Sequence, residues 1–302
     1  MDISRLTEYC GEHNCLYECG ALLAPHTTMK IGGSCDILVR VNSEEVLSGI
    51  LKLCRESAIP TFILGKGSNI LVSDMGWRGC VILLTDELAR ISVDGCTVTA
   101  FAGASLVSVC KAALENSLTG LEFAYGIPGT VGGALYMNAG AYGGEMKDVL
   151  TKCTHIAPDG TVGSFSGADL QLGYRRSVYS GKQYCITALY LQLTPGDPAQ
   201  IKAAMDDKMA RRTAKQPLEY PSAGSTFKRP EGYFAGALIE ECGLKGYSIG
   251  GAQVSEKHAG FVINKGGATT NDILALIRHI QETVLREKGV QLQTEVEFIG
   301  EV

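Results

Sequence analysis

The chain has 302 residues, 45% hydrophobic and 20% charged, with a formal net charge of −5 at pH 7. That length allows two or three domains, the composition is ordinary for a soluble globular chain, and the acidic balance gives no electrostatic case for a nucleic-acid partner. No apolar run reaches about 18 residues, so no membrane span is expected, and residues 1–20 carry Asp2, Arg5, Glu8 and Glu12 without an apolar core, so no signal peptide is read there.

The first segment reads as a small α/β unit. Residues 36–41 (DILVRV) predict a strand. Residues 44–58 predict a helix, because Val46, Leu47, Ile50, Leu51 and Cys54 recur at helical spacing and Asn42 or Ser43 can cap it. Residues 61–64 predict a second strand that runs into Gly65, Lys66, Gly67, Ser68 and Asn69, and residues 70–73 predict a third. A glycine turn with one cation between strands has the makings of an anion nest. It is neither a Walker loop nor a GxGxxG opening a helix, because Ile70 and its neighbours continue as strand.

In the second segment, residues 91–93 and 97–102 predict strands around an Asp94-Gly95 turn, and residues 105–116 an amphipathic helix. Residues 125–145 follow (YGIPGTVGGALYMNAGAYGGE), with seven glycines. No helix or strand interior is expected at that glycine density. A buried loop rich in unpaired N–H groups needs acceptors, which a phosphate or a planar cofactor supplies; a tightly packed turn region without ligand is the plainer reading. Residues 149–157 and 161–165 predict a hairpin about Pro158-Asp159-Gly160, and residues 184–193 a strand. Between them lie Tyr174, Arg175 and Arg176, adjacent arginines among aromatics, candidates for an anion or enolate contact.

The third segment opens with a helix over 198–215 ending in Arg211, Arg212 and Lys215. Residues 220–230 (YPSAGSTFKRP) read as a loop that presents a hydroxyl, with two cations after it. Residues 233–242 and 271–288 predict helices stopped by Gly243 and Gly289. Residues 292–299 predict an alternating strand with Leu292, Thr294, Val296 and Phe298 on one face and Glu295 and Glu297 on the other; spacing alone does not single out Glu295. The eleven cysteines lack CxxC or metal-pair spacing, so no metal is expected and the location is read as a reducing, cytoplasmic one.

Six stretches occur in one order: LGKGSNIL (64–71), GIPGTVGGA (126–134), NAGAYG (138–143), YRRS (174–177), AGSTFK (223–228) and LQTEV (292–296). Each is weak alone. The ordered set resembles the UDP-N-acetylenolpyruvoylglucosamine reductase (MurB) family from about residue 27 onward. The resemblance implies an α+β fold, with a two-part FAD-binding region of the PCMH or vanillyl-alcohol-oxidase type and a smaller α+β substrate-binding domain. The expected division is 1–84 and 85–196 for the two FAD-binding subdomains and 197–302 for the substrate-binding domain.

The resemblance further implies an NADPH-dependent flavoenzyme of peptidoglycan synthesis. It would reduce the enolpyruvyl ether of UDP-N-acetylglucosamine to UDP-N-acetylmuramate, as a monomer without nucleic-acid or membrane partners, serving cell-wall biogenesis, cell shape and cell division. Hydride delivery to the vinyl carbon leaves an enolate beside a carboxylate, which needs a cation or acid to stabilise it and a proton donor to quench it. On the matching positions, Arg175 is the cation, Ser225 the proton donor and Glu295 a hydrogen-bond donor if burial raises its pKa. Cofactor contacts are expected at Gly65, Lys66, Gly67, Ser68, Asn69 and Ile70, and at Tyr125, Gly126, Pro128, Gly129, Thr130, Gly132, Gly133, Asn138, Ala139 and Gly140. Substrate contacts are expected at Tyr174, Arg212, Lys215, Lys228 and His258. Non-covalent FAD is expected, because the first loop has no histidine and residues 126–144 have neither His nor Cys. The short spacing between Arg175 and Ser225, about fifty residues, matches the shorter class of the family, which lacks a tyrosine-bearing cover loop. Another FAD-dependent oxidase of the same fold and a nucleotide-binding regulator without redox activity are the rival readings.

Overall fold

A computed structural model of the chain describes residues 2–301. It divides into two compact units, each discontinuous in sequence. The first takes residues up to Gly20, Asp36–Gly65 and Gly79–Arg211; the second takes Ala21–Cys35, Lys66–Arg78 and the chain from Arg212 onward. The division at 84 and 196 follows the order of motifs, whereas these units follow which segments share a core.

The first unit is built on two sheets. In one, the strand order is Leu16–Cys19, Cys35–Val41, Trp77–Leu84 and Thr61–Leu64. The helix Glu44–Glu56 buries Val46, Leu47, Ile50, Leu51 and Cys54, in one core with Ile37, Val39 and Ile82. Of its two candidate caps it uses Ser43, whose side chain accepts the Val46 N–H. Around this sheet, the helix Ser4–Glu12, the strand Leu16–Cys19 and the strand Trp77–Leu84 were not anticipated. The strand Leu16–Cys19 is exposed at all four positions, so it carries no alternation. Trp77–Leu84 is buried continuously from Gly79 to Ile82, and a continuous apolar run has no period to read.

The other sheet is antiparallel, ordered Val162–Ser166, Leu150–Ile156, Cys185–Gln192, Thr97–Phe101 and Ile91–Asp94. Both expected hairpins are present in it. The helix Leu106–Glu115 buries Leu106, Val109, Cys110 and Ala113 in the core of this sheet, and Ser105 caps it by accepting the Ser108 N–H.

The second unit packs the helices Ala235–Glu241 and Thr270–Lys288 with a three-stranded antiparallel sheet, Ser248–Ile249, Ala252–Val254 and Val262–Asn264. The long helix begins in a capping box, Thr269 with Asp272. It ends at Gly289, whose φ of 69° is the left-handed conformation of a helix stop. Met29, Ile31 and Leu71 join this core, so the segments 21–35 and 66–78 fold with the C-terminal part of the chain. The expected strand over 292–299 is shorter, Glu297–Ile299. Residues 293–295 bond to the loop 226–228, while Glu297–Ile299 pairs in parallel with Ile70–Val72. The partner changes between the two, so no continuous ladder forms, and Thr294 is exposed where alternation placed it with buried Leu292.

Candidate active site

The first glycine loop follows the strand Thr61–Leu64. A Cβ on Gly65 would lie 2.6 Å from Thr130 Oγ1, so the two glycine-rich stretches meet there backbone to side chain. Gly67 has φ of 59°, and a Cβ on it would lie 2.5 Å from the His26 carbonyl oxygen. Among the described residues, the backbone N–H groups of Lys66, Gly67, Ser68 and Asn69 donate no hydrogen bond. Consecutive unpaired donors beside an exposed lysine fit a pyrophosphate such as that of FAD. The Asn69 side chain has a different occupation: its Nδ2 donates to the Glu295 carbonyl at 3.1 Å, while the Asn69 backbone carbonyl accepts the Glu297 N–H at 3.0 Å.

The second glycine-rich stretch departs from expectation. Val131–Tyr136 is a helix and includes Gly132 and Gly133. They stand in its first turn, where glycine is still a poorer helix former than alanine, by up to about 1 kcal/mol each. The helix forms because Thr130 caps it, accepting the Gly133 N–H at 3.3 Å, and because Val131, Ala134 and Leu135 are buried. Gly132 is required by packing, since a Cβ there would lie 2.8 Å from the Ala102 Cβ. Gly133 is exposed and has only Thr130 Oγ1 nearby, 3.5 Å from a built Cβ.

Most N–H groups of this stretch find protein acceptors: Val131 donates to the Ala104 carbonyl, Gly132 to Ala102, Ala134 to Thr130 and Ala139 to Ala134. The N–H groups of Gly126, Gly129 and Thr130 are not among those bonded to protein acceptors, so this stretch keeps free donors beside those of the first loop. Tyr125 follows a short 3-10 turn, Gly126 has φ of 96°, Pro128 is exposed, the Gly129 carbonyl accepts the Leu106 N–H, Ala139 is buried and Gly140 pairs with Glu145.

Tyr174 and Arg175 occupy a turn closed by two backbone bonds, Gly173 N–H to Arg176 carbonyl at 3.1 Å and Arg176 N–H to Gly173 carbonyl at 3.2 Å. Arg175 has φ of 52°, uncommon for a side chain of this size. Its guanidinium carbon lies 5.1 Å from the Tyr174 ring centre. Arg176 folds back on the turn, its Nε 2.6 Å from where a Gly173 Cβ would be. The two adjacent arginines are thus distinct: Arg176 lies against Gly173, and Arg175 carries the left-handed backbone.

In the second unit, Ser225 is exposed between buried Ala223 and Thr226. Gly224 before it has φ of 76°, and the Thr226 N–H donates to the Gly260 carbonyl at 2.9 Å. The Glu295 N–H donates to the Thr226 carbonyl at 2.9 Å, so the fold brings the segments bearing Ser225 and Glu295 side by side. Lys228 lies in the same pairing, its N–H donating to the Gln293 carbonyl at 2.8 Å. Arg212 and Lys215 are in the last turn of the helix Pro198–Lys215. Arg175 belongs to the first unit, and Ser225, Glu295, Lys228 and His258 to the second. Glu297 is exposed at its surface, and partial loss of hydration raises its carboxyl pKa, with Lys228 opposing the shift.

His258 Nδ1 accepts the Gly260 N–H at 3.1 Å, which places the ring proton of the neutral form on Nε2. Burial lowers the His258 pKa, and burial likewise lowers that of His155, whose Nδ1 is 2.9 Å from the Tyr179 hydroxyl. A histidine lowered on folding stabilises fully above its unfolded pKa of about 6.5, and the contribution is lost as pH falls through the folded value. The unfolding midpoint is expected to fall on acidification below about pH 6.5. His155→Phe should flatten that fall, and the difference between the two proteins isolates it from Glu297, whose raised pKa acts in the opposite sense. Parallel curves for wild type and variant would show that His155 contributes nothing.

Two family models match the chain: an FAD binding domain over residues 35–166 and the C-terminal domain of UDP-N-acetylenolpyruvoylglucosamine reductase over residues 216–299. A UDP-N-acetylenolpyruvoylglucosamine reductase of Clostridium perfringens (strain SM101 / Type A) is 54% identical over 278 residues, 92% of this chain and 91% of that one. The crystal structure of the corresponding reductase (MurB) from Thermus caldophilus superposes with a TM-score of 0.82 at 35% identity, covering 95% of this chain and 99% of the other. Berberine bridge enzyme from Eschscholzia californica shares the fold alone, with a TM-score of 0.51 and 18% identity over 65% of this chain and 44% of that one.

Proposed function

Because the chain belongs to the UDP-N-acetylenolpyruvoylglucosamine reductase family, we propose that Arg175, Ser225 and Glu295 carry its reaction. The protein is an FAD-dependent oxidoreductase that uses NADPH to reduce the enolpyruvyl ether of UDP-N-acetylglucosamine to UDP-N-acetylmuramate, a step of peptidoglycan precursor synthesis. Its FAD-binding region is of the PCMH type and is followed by the family's C-terminal domain.

Bound FAD supplies a hydride carrier between NADPH and the vinyl carbon. Everything else falls to side chains of this chain. The Arg175 guanidinium forks the substrate carboxylate and gains strength as negative charge grows on it. Ser225 delivers the proton to the carbon bearing that carboxylate, and Glu295, in its protonated form, donates a hydrogen bond to the same group. The unpaired N–H groups of Lys66 to Asn69 take the FAD pyrophosphate, and the exposed face of the helix Val131–Tyr136 at Gly133 takes the flavin. Lys228, Lys215 and Arg212 contact the substrate's anionic groups, His258 donates from Nε2 while neutral, and Tyr174 lies beside the carboxylate with Arg175. The observation that carries this reading is exposed Ser225 next to buried Thr226, with the Glu295 N–H bonded to the Thr226 carbonyl.

We assign the work to the cytoplasm, on the sequence's cysteine usage, and to a monomer, with cell shape and division as the processes served. No helix among the described residues is long and apolar enough to cross a membrane. The test is spectral: the flavin band of the purified protein should bleach with NADPH under anaerobic conditions and recover on adding the enolpyruvyl substrate. Recovery with oxygen but not with substrate would favour an oxidase. Attachment is testable separately. Acid precipitation should leave all the yellow colour in the supernatant, since neither glycine loop offers a histidine or cysteine; colour in the pellet would mean a covalent link.

A further inference from the structure

We propose that Asn138 is a positioning residue that holds the Arg175 turn in place, and not a cofactor contact. Its side chain is fully buried and its backbone is left-handed, with φ of 45°. Nδ2 donates to Glu145 Oε2 at 2.6 Å and to the Gly173 carbonyl at 3.0 Å, while Oδ1 accepts the Lys147 N–H at 2.9 Å. A primary amide has two N–H donors. Both are used inside the first unit, so none remains for a ligand.

The Gly173 bond is what links Asn138 to the chemistry. Gly173 opens the turn that carries Arg175, and its carbonyl also accepts the Arg176 N–H that closes the turn. A left-handed arginine costs about 1–2 kcal/mol, and such a conformation persists only where surrounding structure over-determines it. Two anchors do so here. Asn138 holds the first residue of the turn, and on the far side Ser177 Oγ donates to the Tyr136 carbonyl at 2.7 Å. Both anchors attach to the end of the helix Val131–Tyr136, so the flavin-side helix and the Arg175 turn move as one piece. Glu145 fixes the amide in turn, and its other carboxylate oxygen is paired with Lys147. Without the Asn138 donor, the turn loses a bond at its first residue, and Arg175 relaxes toward ordinary backbone, displacing a guanidinium whose value lies in its placement.

This inference rests on the reading that Arg175 meets the substrate carboxylate, and a double-mutant cycle separates the two. Asn138→Gly keeps the left-handed backbone and removes the amide. With the flavin reduced first, its reoxidation by the enolpyruvyl substrate should slow on the order of 10²-fold, the effect of roughly a 1 Å misplacement. Flavin content and reduction by NADPH should stay within a few-fold of wild type. In an Arg175→Ala background the same change should cost less than about twofold, because coupled residues are non-additive. Calorimetry on the flavin-free protein supplies a readout other than activity. Asn138→Gly should weaken binding of UDP-N-acetylmuramate, which bears the carboxylate, and leave UDP binding unchanged.

If Asn138→Gly unfolds, Asn138→Asp with Glu145→Gln carries the test. The swap restores the 138–145 bond but gives no donor to Gly173, so the unfolding midpoint should recover while reoxidation stays slow. Recovery of both, equal slowing in both backgrounds, or selective loss of FAD with normal reoxidation would each overturn the proposal. A normal rate in Arg175→Ala itself would instead overturn the assignment of Arg175, and the product-binding arm would still decide whether Asn138 acts through it.

Discussion

Ser225→Ala is expected to split the catalytic cycle. Flavin bleaching by NADPH should stay within a few-fold of wild type, and reoxidation by the enolpyruvyl substrate should slow by at least about a hundredfold. Hydride transfer from NADPH needs no proton from Ser225. The second half ends in protonation of an enolate, and removing a general acid costs about 10²–10⁴-fold, or about 3–5 kcal/mol at roughly 1.36 kcal/mol per decade. The fold supports a clean substitution. Ser225 is exposed, while the loop is held by the backbone of Thr226 through Gly260 and Glu295, none of which needs the Ser225 side chain. Substrate binding to the oxidised enzyme should change little, because one hydroxyl contact is worth about 1 kcal/mol. Stopped flow reads both halves. Equal slowing of both would make Ser225 a positioning group for a shared site, and no slowing of either would assign the proton to another donor.

The second large effect separates two neighbouring glycines. Gly132→Val should lower the unfolding midpoint strongly, because its Cβ would lie 2.8 Å from the Ala102 Cβ and 3.2 Å from the Ala102 carbonyl oxygen. Overpacking of this kind costs about 1–3 kcal/mol, which for a protein of this size is several degrees. Gly133→Val adds its side chain on the exposed side of the same helix, where only Thr130 Oγ1 is near. The flavin-free protein should therefore unfold within about a degree of wild type, while FAD affinity falls at least tenfold, a loss of about 1.4 kcal/mol or more. Flavin occupancy and unfolding midpoint measured on the same samples give the answer. Full FAD occupancy in Gly133→Val would remove the flavin from that helix face, and equal destabilisation by both changes would mean that neither side of the helix is open.

Much of the architecture was legible because its signals are local. The helices Glu44–Glu56, Leu106–Glu115, Pro198–Lys215 and Thr270–Lys288 carry apolar residues at helical spacing, with hydroxyl caps before three of them and glycine after the last. The hairpins about Asp94 and Pro158 carry turn residues between short strands. The helix Val131–Tyr136 was not legible, because glycine counts against a helix locally while Gly132 is there for the distance to Ala102, about thirty residues earlier in the chain. The end of the chain misled for a similar reason. Residues 292–299 alternate as one strand does, but two different partners divide them.

By itself, the order of six short motifs determined the family and with it the reaction class, since each motif is a contiguous run of residues that can be read without knowing what it packs against. Only the tertiary structure decided which segments share a core, that the loop after Gly65 folds with the C-terminal unit through Asn69 and Glu295, and that the Asn138 amide is bonded to Gly173. Those links join residues 35 to 226 positions apart. A hydrogen bond across that distance leaves no period, cap or turn signal at either end, and it exists only once the core on each side has closed.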